Sequence, residues 1–461
     1  MTNRKFKSRE ELLEYALTAV GVPFYKIDKT NRLSTGKGAL GTVIEESFFG
    51  YMPNSNSKPD FEELGVELKV TPFKRTKKGI SAKERLVCNI IDYMTEYHKT
   101  FETSSFMSKC STMLLMLYEY VSEFDKGNMS IDRAVLFSFP EEDLLIIRDD
   151  WYKIIRKIRE GKAHEISESD TLYLGACTKG MNASSKREQP FSDKLAMQRA
   201  YSLKASYMTY VLREYIYGER TSENIIKYPG QLREISFENW IIERISPYFG
   251  RTFKSLTDEF GLTGTPKNIN ELIIAKILGV KGRISKTTEF QKANIVPKTI
   301  RIRRDGHIVE SMSFPTFKFI DLINQEWEES DLFDYLSETK FLFIVFREAS
   351  IDSVLESVKF WNIPNRDLEE VRKVWERTKE VIISGVEIIE KDGRKTNNFP
   401  KKYENAVAHV RPHAINAEDV YPLPDGRLMT KQCFWLNNDY IKSQLEVLDE
   451  ISKGFGIRHG K

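Results

Sequence analysis

Apolar and polar positions alternate with two different periods along the first half of the chain. Helical spacing predicts an amphipathic helix over residues 8–20, where Ser8 and Glu11 have the spacing of a capping box. The same spacing predicts helices over 141–161 and 206–216, whereas the short apolar stretches over 110–122 and 134–139 predict core strands. Strands interleaved with helices in this way indicate an α/β core.

A period of two over residues 65–70 divides that segment into two faces. If the segment is a strand, its valines and leucine point into a core, and Glu67 and Lys69 point together to the opposite face. Asp60 lies seven residues before Glu67. Two carboxylates can hold Mg²⁺, which prefers oxygen ligands and keeps several waters. A neighbouring lysine can orient or deprotonate a water and offset phosphate charge, so the set is equipped to hydrolyse a phosphodiester.

The spacing by itself is unspecific, because Asp331, Glu338 and Lys340 repeat it. That second set lies in an acidic helical stretch that runs into the apolar residues 341–346, and its pattern predicts solvated charges. The surroundings of the first set differ. Residues 37–50 predict an apolar helix that carries Glu45 and ends at a glycine, and residues 54–59 have loop composition.

These segments resemble the MutH mismatch-repair endonuclease family, and more closely the GATC-cutting type II restriction enzymes related to it. The resemblance rests on the Lys-Gly motif that opens residues 37–45, on Ser-Lys-Pro-Asp at 57–60 and on Leu-Gly-Val-Glu-Leu-Lys at 64–69. It continues in order through residues 101–109, 178–183 and 198–204. Residues 429–441 resemble only the longer restriction enzymes.

The resemblance implies an assignment for each site residue. It makes Glu45, Asp60 and Glu67 the metal ligands for Mg²⁺, and it makes Lys69 and Lys109 the active-site lysines. In the loop from residue 178 to 187, it makes Lys179 the base-reading residue, and the glycine there allows close approach to DNA. The predicted DNA-binding residues are Lys179, Gly180, Asn182, Lys186 and, in a basic turn after the catalytic strand, Lys77.

The resemblance implies a PD-(D/E)xK nuclease fold, which is a mixed sheet flanked by helices. An internal repeat in the sequence predicts two copies of this fold. The pattern breaks at 218–232, which divides a catalytic domain, 1–225, from a second domain, 226–461. A gapless overlay sets Glu289 on Asp60, Val296 on Glu67 and Lys298 on Lys69. A shorter match sets 338–340 on 102–104. Without the glutamate, the second copy is predicted to be inactive and to bind DNA as an allosteric effector domain. It keeps basic residues, including Arg301, Arg303, Arg304, Arg411 and Lys431.

Composition narrows the class of protein only slightly. A chain of 461 residues is long enough for two hydrophobic cores. The 70 basic residues nearly balance the 67 acidic ones, so a nuclease of this composition must bind DNA through a local basic channel and not through its net charge. The four cysteines match no zinc motif and are predicted to be reduced thiols. No apolar stretch predicts a membrane span, and the polar N-terminus predicts a cytoplasmic protein.

The sequence therefore predicts a Mg²⁺-dependent type II restriction endonuclease that cuts double-stranded DNA at GATC. The resemblance implies 5′-phosphate ends with four-base overhangs, a monomer in solution that pairs on DNA, and a host-protecting DNA methyltransferase that need not bind. Two alternatives stay open. One is a MutH-like nicking endonuclease of mismatch repair, and the other is a DNA-binding regulator that does not cut.

Overall fold

The computed structural model describes residues 4–454 apart from 35–37, 53–57, 78, 123–124, 181–184, 220–221, 265 and 392–393. The predicted base-reading residue Asn182 lies outside the described residues. Within the described ranges, no helix combines the length and the apolar composition that crossing a membrane requires.

Fifteen α-helices are described, and two of them continue into π-helical turns, at Val43–Phe49 after α3 and at Val211–Ile216 after α7. The helices are α1 Arg9–Leu17, α2 Phe24–Ile27, α3 Ala39–Thr42, α4 Tyr93–Glu96, α5 Ser105–Cys110, α6 Glu141–Arg159, α7 Ala205–Tyr210, α8 Phe237–Ile245, α9 Phe253–Glu259, α10 Ile269–Ile277, α11 Thr288–Lys292, α12 Phe319–Ile323, α13 Asp331–Glu338, α14 Asn365–Ser384 and α15 Asn438–Gly454.

The described strands fall into two groups, β1–β9 before residue 204 and β10–β19 after residue 294. They are β1 Glu67–Thr76, β2 Gly79–Ala82, β3 Leu86–Ile90, β4 Thr112–Glu119, β5 Ile131–Ser138, β6 Leu174–Thr178, β7 Lys186–Gln189, β8 Ser192–Met197, β9 Arg199–Leu203, β10 Ile295–Ile302, β11 Met312–Phe317, β12 Lys340–Glu348, β13 Ser353–Trp361, β14 Ile388–Lys391, β15 Arg394–Asn397, β16 Ala408–Pro412, β17 Val420–Pro422, β18 Leu428–Thr430 and β19 Gln432–Leu436.

The chain forms two compact units. The first contains residues 1–237 and 286–294, and the second contains 238–285 and 295–461. This division lies later than the predicted boundary at 225. It also assigns α11, which precedes β10 directly in the sequence, to the first unit.

The first unit contains a mixed sheet in the order β2-β1-β4-β5, with β1 parallel to β4 and the other pairs antiparallel. Glu67 lies opposite Met113 in the parallel pair. A second sheet, in the order β3-β9-β6, is antiparallel throughout. Val66 and Leu68 are buried in a core cluster with Leu12 of α1, as the alternation predicts.

The predicted helices and strands of this unit are confirmed. The segments predicted over 8–20, 110–122, 134–139, 141–161 and 206–216 correspond to α1, β4, β5, α6 and α7. At the start of α1, Ser8 Oγ accepts the amide of Glu11 at 3.2 Å. The Glu11 carboxylate accepts the amide of Lys7, one residue earlier than in a standard capping box, so only the Ser8 half is formed as predicted.

The second unit has a sheet in the order β10-β12-β13, with β10 parallel to β12 and Val296 opposite Phe341. Another sheet, β11-β19-β16, is antiparallel. The acidic helix predicted before the apolar stretch is α13. The prediction of solvated charges is wrong for Lys340, which is buried and whose Nζ pairs with Glu238 Oε1 at 2.7 Å. A buried ammonium needs such a partner.

Candidate active site

Glu67 and Lys69 share the face of β1 that points away from the core. Lys69 Nζ donates to Glu67 Oε1 at 2.8 Å and to the carbonyl oxygen of Cys88 in β3 at 3.1 Å. Glu67 is only 2 % exposed, so the ion pair lies in a region of low dielectric constant. The two-residue spacing on a strand thus brings the pair together as predicted.

Asp60 is tied to Glu67 by backbone hydrogen bonds in both directions. The amide of Asp60 donates to Glu67 Oε2 at 3.2 Å, and the amide of Leu68 donates to Asp60 Oδ2 at 3.0 Å. A tight turn supports this arrangement, with Gly65 in the left-handed region at φ +62°. Burial, and then the charge of Glu67, raise the pKa of Asp60 to about 7.

Glu45 lies in the π-helical turn after α3, which ends at Gly50 with φ +78°. Its neighbour Glu46 is buried and receives two bonds from Arg32, at 2.8 and 2.7 Å, away from the site. Burial raises the pKa of Glu45, while the charge of Lys69 lowers it and that of Glu67 raises it further. Glu45 therefore lies within the electrostatic field of the site, whereas Glu46 stabilises the fold through its ion pair with Arg32.

Lys109 reaches the same carboxylate from the end of α5. Ser104 caps that helix by accepting the amide of Met107 at 3.1 Å. The buried Lys109 places Nζ at 3.5 Å from Glu67 Oε1. Two ammonium groups therefore converge on one carboxylate oxygen, although Lys69 and Lys109 are forty residues apart in sequence.

The charge state of Lys69 restricts what it can do. Burial lowers its pKa, but the charge of Glu67 acts in the opposite direction and the net effect is a raised pKa. The side chain is therefore an ammonium ion at neutral pH and donates hydrogen bonds. Of the two predicted roles for Lys69, this favours orienting a water molecule over deprotonating it.

The donor set fits a hard divalent cation. No group of three or more His, Cys, Asp or Glu side chains suited to a metal ion occurs among the described residues. Mg²⁺ does not need one, because it commonly binds through one or two carboxylates and keeps several waters. Asp60 and Glu67 supply such a pair. Burial, and then the neighbouring charge of Glu67, raise the pKa of Asp60, and a bound cation would offset that second effect.

Tyr51 is a residue of this site that the sequence patterns do not indicate. Its hydroxyl is buried without a hydrogen-bond partner in the described structure. Burial, followed by the charges of Asp60, Glu45 and Glu67, raises its pKa. The one sequence feature that could have indicated Tyr51 is its place as an aromatic residue directly after the glycine that ends the Glu45 helix.

Next to Asp60, a cavity of about 560 Å³ is bordered by Arg4 and Lys5.

The predicted DNA-binding residues lie on several elements of the first unit: the segment after β6, the start of β7 in the two-stranded sheet β7-β8, and the turn after β1. Lys179 follows β6, and its amide donates to the carbonyl of Gln198 at 2.7 Å. Gly180 has φ +113°, and a Cβ there would overlap the side chain of Ser185, so the position requires glycine. Lys186 at the start of β7 and Lys77 in the turn after β1 are exposed. Contacts between described residues do not join these side chains to Asp60 or Glu67 directly.

Comparison with known proteins agrees with this arrangement. The family model of the DNA mismatch repair enzyme MutH matches residues 49–150, a range that contains Asp60, Glu67, Lys69 and Lys109. The chain is 39 % identical to the type II restriction enzyme Sau3AI of Staphylococcus aureus, over 96 % of this chain and 99 % of that protein.

MutH proteins match a smaller part of the chain. The DNA mismatch repair protein MutH of Shewanella woodyi is 26 % identical over 47 % of this chain and 96 % of its own length. That of Shewanella amazonensis is 28 % identical over 40 % of this chain and 81 % of its own length. Because the similarity to Sau3AI extends over nearly all of both chains, this protein belongs to the MutH-related, Sau3AI-type family of type II restriction endonucleases and is a site-specific deoxyribonuclease.

Proposed function

We propose that the enzyme uses Mg²⁺ to cut both strands of double-stranded DNA at GATC, leaving 5′-phosphate ends with four-base overhangs. The observation that carries the proposal is the Asp60–Glu67 pair, locked by backbone hydrogen bonds and flanked by Lys69 and Lys109. The choice of GATC rests on the resemblance of the sequence motifs to GATC-cutting restriction enzymes.

Each residue of the site has a distinct proposed role. Asp60 and Glu67 hold the Mg²⁺, which when bound would polarise the phosphate and lower the pKa of a coordinated water, and Glu45 adds its charge to the same site as the proposed third ligand. Lys69 is held as an ammonium ion and orients the attacking water. Lys109 offsets the negative charge that builds up on the scissile phosphate.

DNA recognition is assigned to the loop after β6. Lys179 donates to the N7 and O6 acceptors of guanine in the major groove, and Gly180 allows the backbone to approach the base pairs. Asn182 and Lys186 extend this contact surface. Lys77 is exposed and contacts the DNA backbone without reading the sequence.

The second unit is proposed to be a degenerate copy of the first. In support, β10-β12-β13 repeats the order and directions of β1-β4-β5, and β11-β19-β16 repeats those of β3-β9-β6. Ser330 accepts the amide of Phe333 and donates to the Trp327 carbonyl, as Ser104 does with Met107 and Phe101.

This correspondence corrects one part of the sequence overlay. Because Ser330 matches Ser104, the segment 338–340, at the end of α13 and the start of β12, cannot correspond to 102–104, which precedes α5. The overlay of Lys298 on Lys69 is supported by a shared contact. Lys298 Nζ donates to the carbonyl of Ser313 at 2.9 Å, as Lys69 Nζ does to that of Cys88.

The second copy lacks the acidic part of the site. Val296 stands at the place of Glu67, and a valine side chain cannot bind a cation. Glu289, which the overlay sets on Asp60, belongs to the first unit and accepts the amides of Ile225 and Ile226 at 3.0 and 2.8 Å. We therefore assign this unit an effector role, in which it binds a second GATC duplex and stimulates cleavage by a monomer that pairs on DNA. A methyltransferase would protect the host without binding the enzyme.

Incubation of the purified protein with plasmid DNA and Mg²⁺ tests the proposal. Double-strand cleavage with ends that ligate to GATC-overhang duplexes supports it. Nicked circles alone would favour a MutH-like nickase, and intact plasmid would favour a regulator that does not cut. A Glu67→Gln protein purified in parallel is the matched control for contaminating nucleases.

A further inference from the structure

Lys298 is a largely buried cation of the second unit that has no acidic partner among the described residues. Its Nζ donates to the carbonyl of Ser313 at 2.9 Å, and neither Asp nor Glu pairs with it in the part of the chain that the structure describes. Burial lowers its pKa, and the neighbouring Cys433 acts to raise it. Lys69, by contrast, has the carboxylate of Glu67 at 2.8 Å.

Arg411 approaches the same cysteine from the neighbouring strand. Cys433 of β19 lies opposite Arg411 of β16. Burial raises the pKa of Cys433 to about 12, while Lys298 and Arg411 both act to lower it. The thiol is therefore neutral at physiological pH, and two cations flank it. The guanidinium of Arg411 lies 4.6 Å from the ring centre of Trp435, and described residues supply no carboxylate partner for it.

Other cations of this unit are neutralised by the protein itself. Lys431 pairs with Asp419, Arg301 pairs with Glu310, and Lys340 pairs with Glu238. Lys298 and Arg411 differ from these, although Lys298 lies in the same β10-β12-β13 sheet as Arg301 and Lys340. An ammonium group removed from water without a counter-ion is costly, and an anion that enters the site removes this cost.

We propose that Lys298 and Arg411 bind a backbone phosphate of the effector DNA duplex. The loss of the carboxylates has converted the remnant of a cation site into an anion site. Arginine presents several donors in a plane that matches phosphate oxygens, and lysine supplies a point charge. This inference rests on the proposed effector role of the second unit.

The surroundings favour a phosphate of DNA over free phosphate. Arg411 is exposed at the end of β16. It begins residues 411–417, whose sequence resembles residues 177–183 at the start of the predicted DNA-reading loop of the first unit. The rings of His413 and Trp435 lie 5.3 Å apart beside it and give the site an aromatic border. A DNA duplex that contacts this border gains more binding free energy than an isolated phosphate ion does.

Lysine reactivity in the full-length protein tests the site directly. Reductive methylation, measured by mass spectrometry, is carried out on three samples that contain Ca²⁺ in place of Mg²⁺. The first sample also contains a GATC duplex, the second contains inorganic phosphate, and the third contains neither. We expect the duplex to slow the modification of Lys298 at least fivefold and inorganic phosphate to slow it less. Lys373, an exposed lysine of α14, is the internal reference and should react at one rate throughout. Equal protection by phosphate would indicate a site for the free anion.

Two substitutions test the consequence for regulation. Lys298→Met and Arg411→Gln should each lower the stimulation by an added GATC duplex, measured as a ratio of cleavage rates, at least fivefold. The matched control is Arg347→Gln, since this arginine of β12 already pairs with Glu356 at 2.7 Å. Lys298→Met should also raise the Tm of the DNA-free protein, because it removes an uncompensated buried charge.

The outcomes separate this inference from the effector role. If the duplex stimulates the wild type and Lys298→Met equally, and Lys298 stays unprotected, the phosphate site is overturned and the effector role stands. If the duplex does not stimulate the wild type, the effector role fails, and protection of Lys298 alone decides the site. A lower Tm for Lys298→Met would indicate a structural lysine and would also count against the site.

Discussion

Asp60 and Glu67 hold each other's carboxylates through the backbone: the Asp60 amide donates to Glu67 Oε2 at 3.2 Å, and the Leu68 amide donates to Asp60 Oδ2 at 3.0 Å. The carboxylates are therefore fixed before any cation binds. Such preorganisation avoids the cost of ordering the ligands when the substrate arrives. Glu67 Oε1 also faces the two lysines, so charge and geometry are set together.

Substitution of either carboxylate should remove cleavage and leave DNA binding largely unchanged. Glu67→Gln and Asp60→Asn keep an oxygen that can accept the backbone bonds but lose the charge that holds Mg²⁺, so we expect single-turnover cleavage to fall at least about 100-fold. Glu46→Gln is the matched control, because that carboxylate pairs with Arg32 outside the site. A Glu67→Gln enzyme that kept a tenth of wild-type turnover would contradict the assignment.

Proton release from Asp60 should make stabilisation by divalent cations depend on pH. Its pKa is about 7 in the folded protein against 3.8 ordinarily, so the folded state holds an extra proton between these values. The stability from that proton is fully present below pH 3.8 and is lost as pH rises through about 7. Because a cation needs the ionised form, the increase in Tm that Ca²⁺ produces should be larger at pH 8 than at pH 5.5. In the Asp60→Asn protein, Ca²⁺ should raise the Tm only slightly and equally at both pH values. If Ca²⁺ raises the Tm of the wild type and of Asp60→Asn by the same amount, Asp60 is excluded as a ligand.

Lys179 and Lys77 should affect DNA binding in different ways. Lys179→Ala should reduce discrimination between GATC and near-cognate duplexes by about 1–3 kcal/mol, as expected for a lost base contact. Lys77→Ala should weaken binding to all duplexes and reduce the salt dependence of the affinity. Equilibrium titrations in Ca²⁺ at several salt concentrations measure both effects. The division of roles fails if the two variants lose specific and non-specific affinity in equal proportion.

The buried Lys292–Asp143 ion pair should be important for the stability of the first unit. Lys292 Nζ lies 2.5 Å from Asp143 Oδ1, and the hydroxyls of Tyr207 and Tyr215 donate to Asp143 Oδ2. Lys292→Met leaves a buried carboxylate without its cation and should cost about 3–5 kcal/mol of unfolding free energy. Adding Asp143→Leu should recover part of that loss, measured by urea denaturation. Equal stabilities of the single and double variants would argue against coupling between Lys292 and Asp143.

Cleavage should be faster on plasmids with two GATC sites than on plasmids with one, and a short uncut GATC duplex should accelerate the one-site reaction. Coupling between two DNA sites requires this result. Identical rates on the two plasmids would leave the second unit with a structural role. A fragment of residues 1–225 is a poor substitute for this test, because it lacks Lys292, the buried partner of Asp143.

Local physics accounts for the parts of the site that the sequence could determine. Side chains on a strand alternate between two faces, so the order of residues 66–70 alone requires Glu67 and Lys69 to share a face opposite the core. A short turn then limits how far Asp60 can lie from Glu67. Helical periodicity likewise determines α1, α6 and α7, because burial of one face stabilises a helix whatever packs against it.

Tertiary structure decided which charged groups meet across long sequence separations. Glu45 and Glu46 are neighbours in one π-helical turn and point in different directions, and the position of Arg32 determined which of them points away from the site. The sequence pattern predicts a solvated Lys340, but the fold buries it beside Glu238. Residues 286–294 pack with the first unit, which no local pattern indicates. A buried charge is stable only beside its counter-charge, and the three-dimensional packing of distant segments determines where that counter-charge lies.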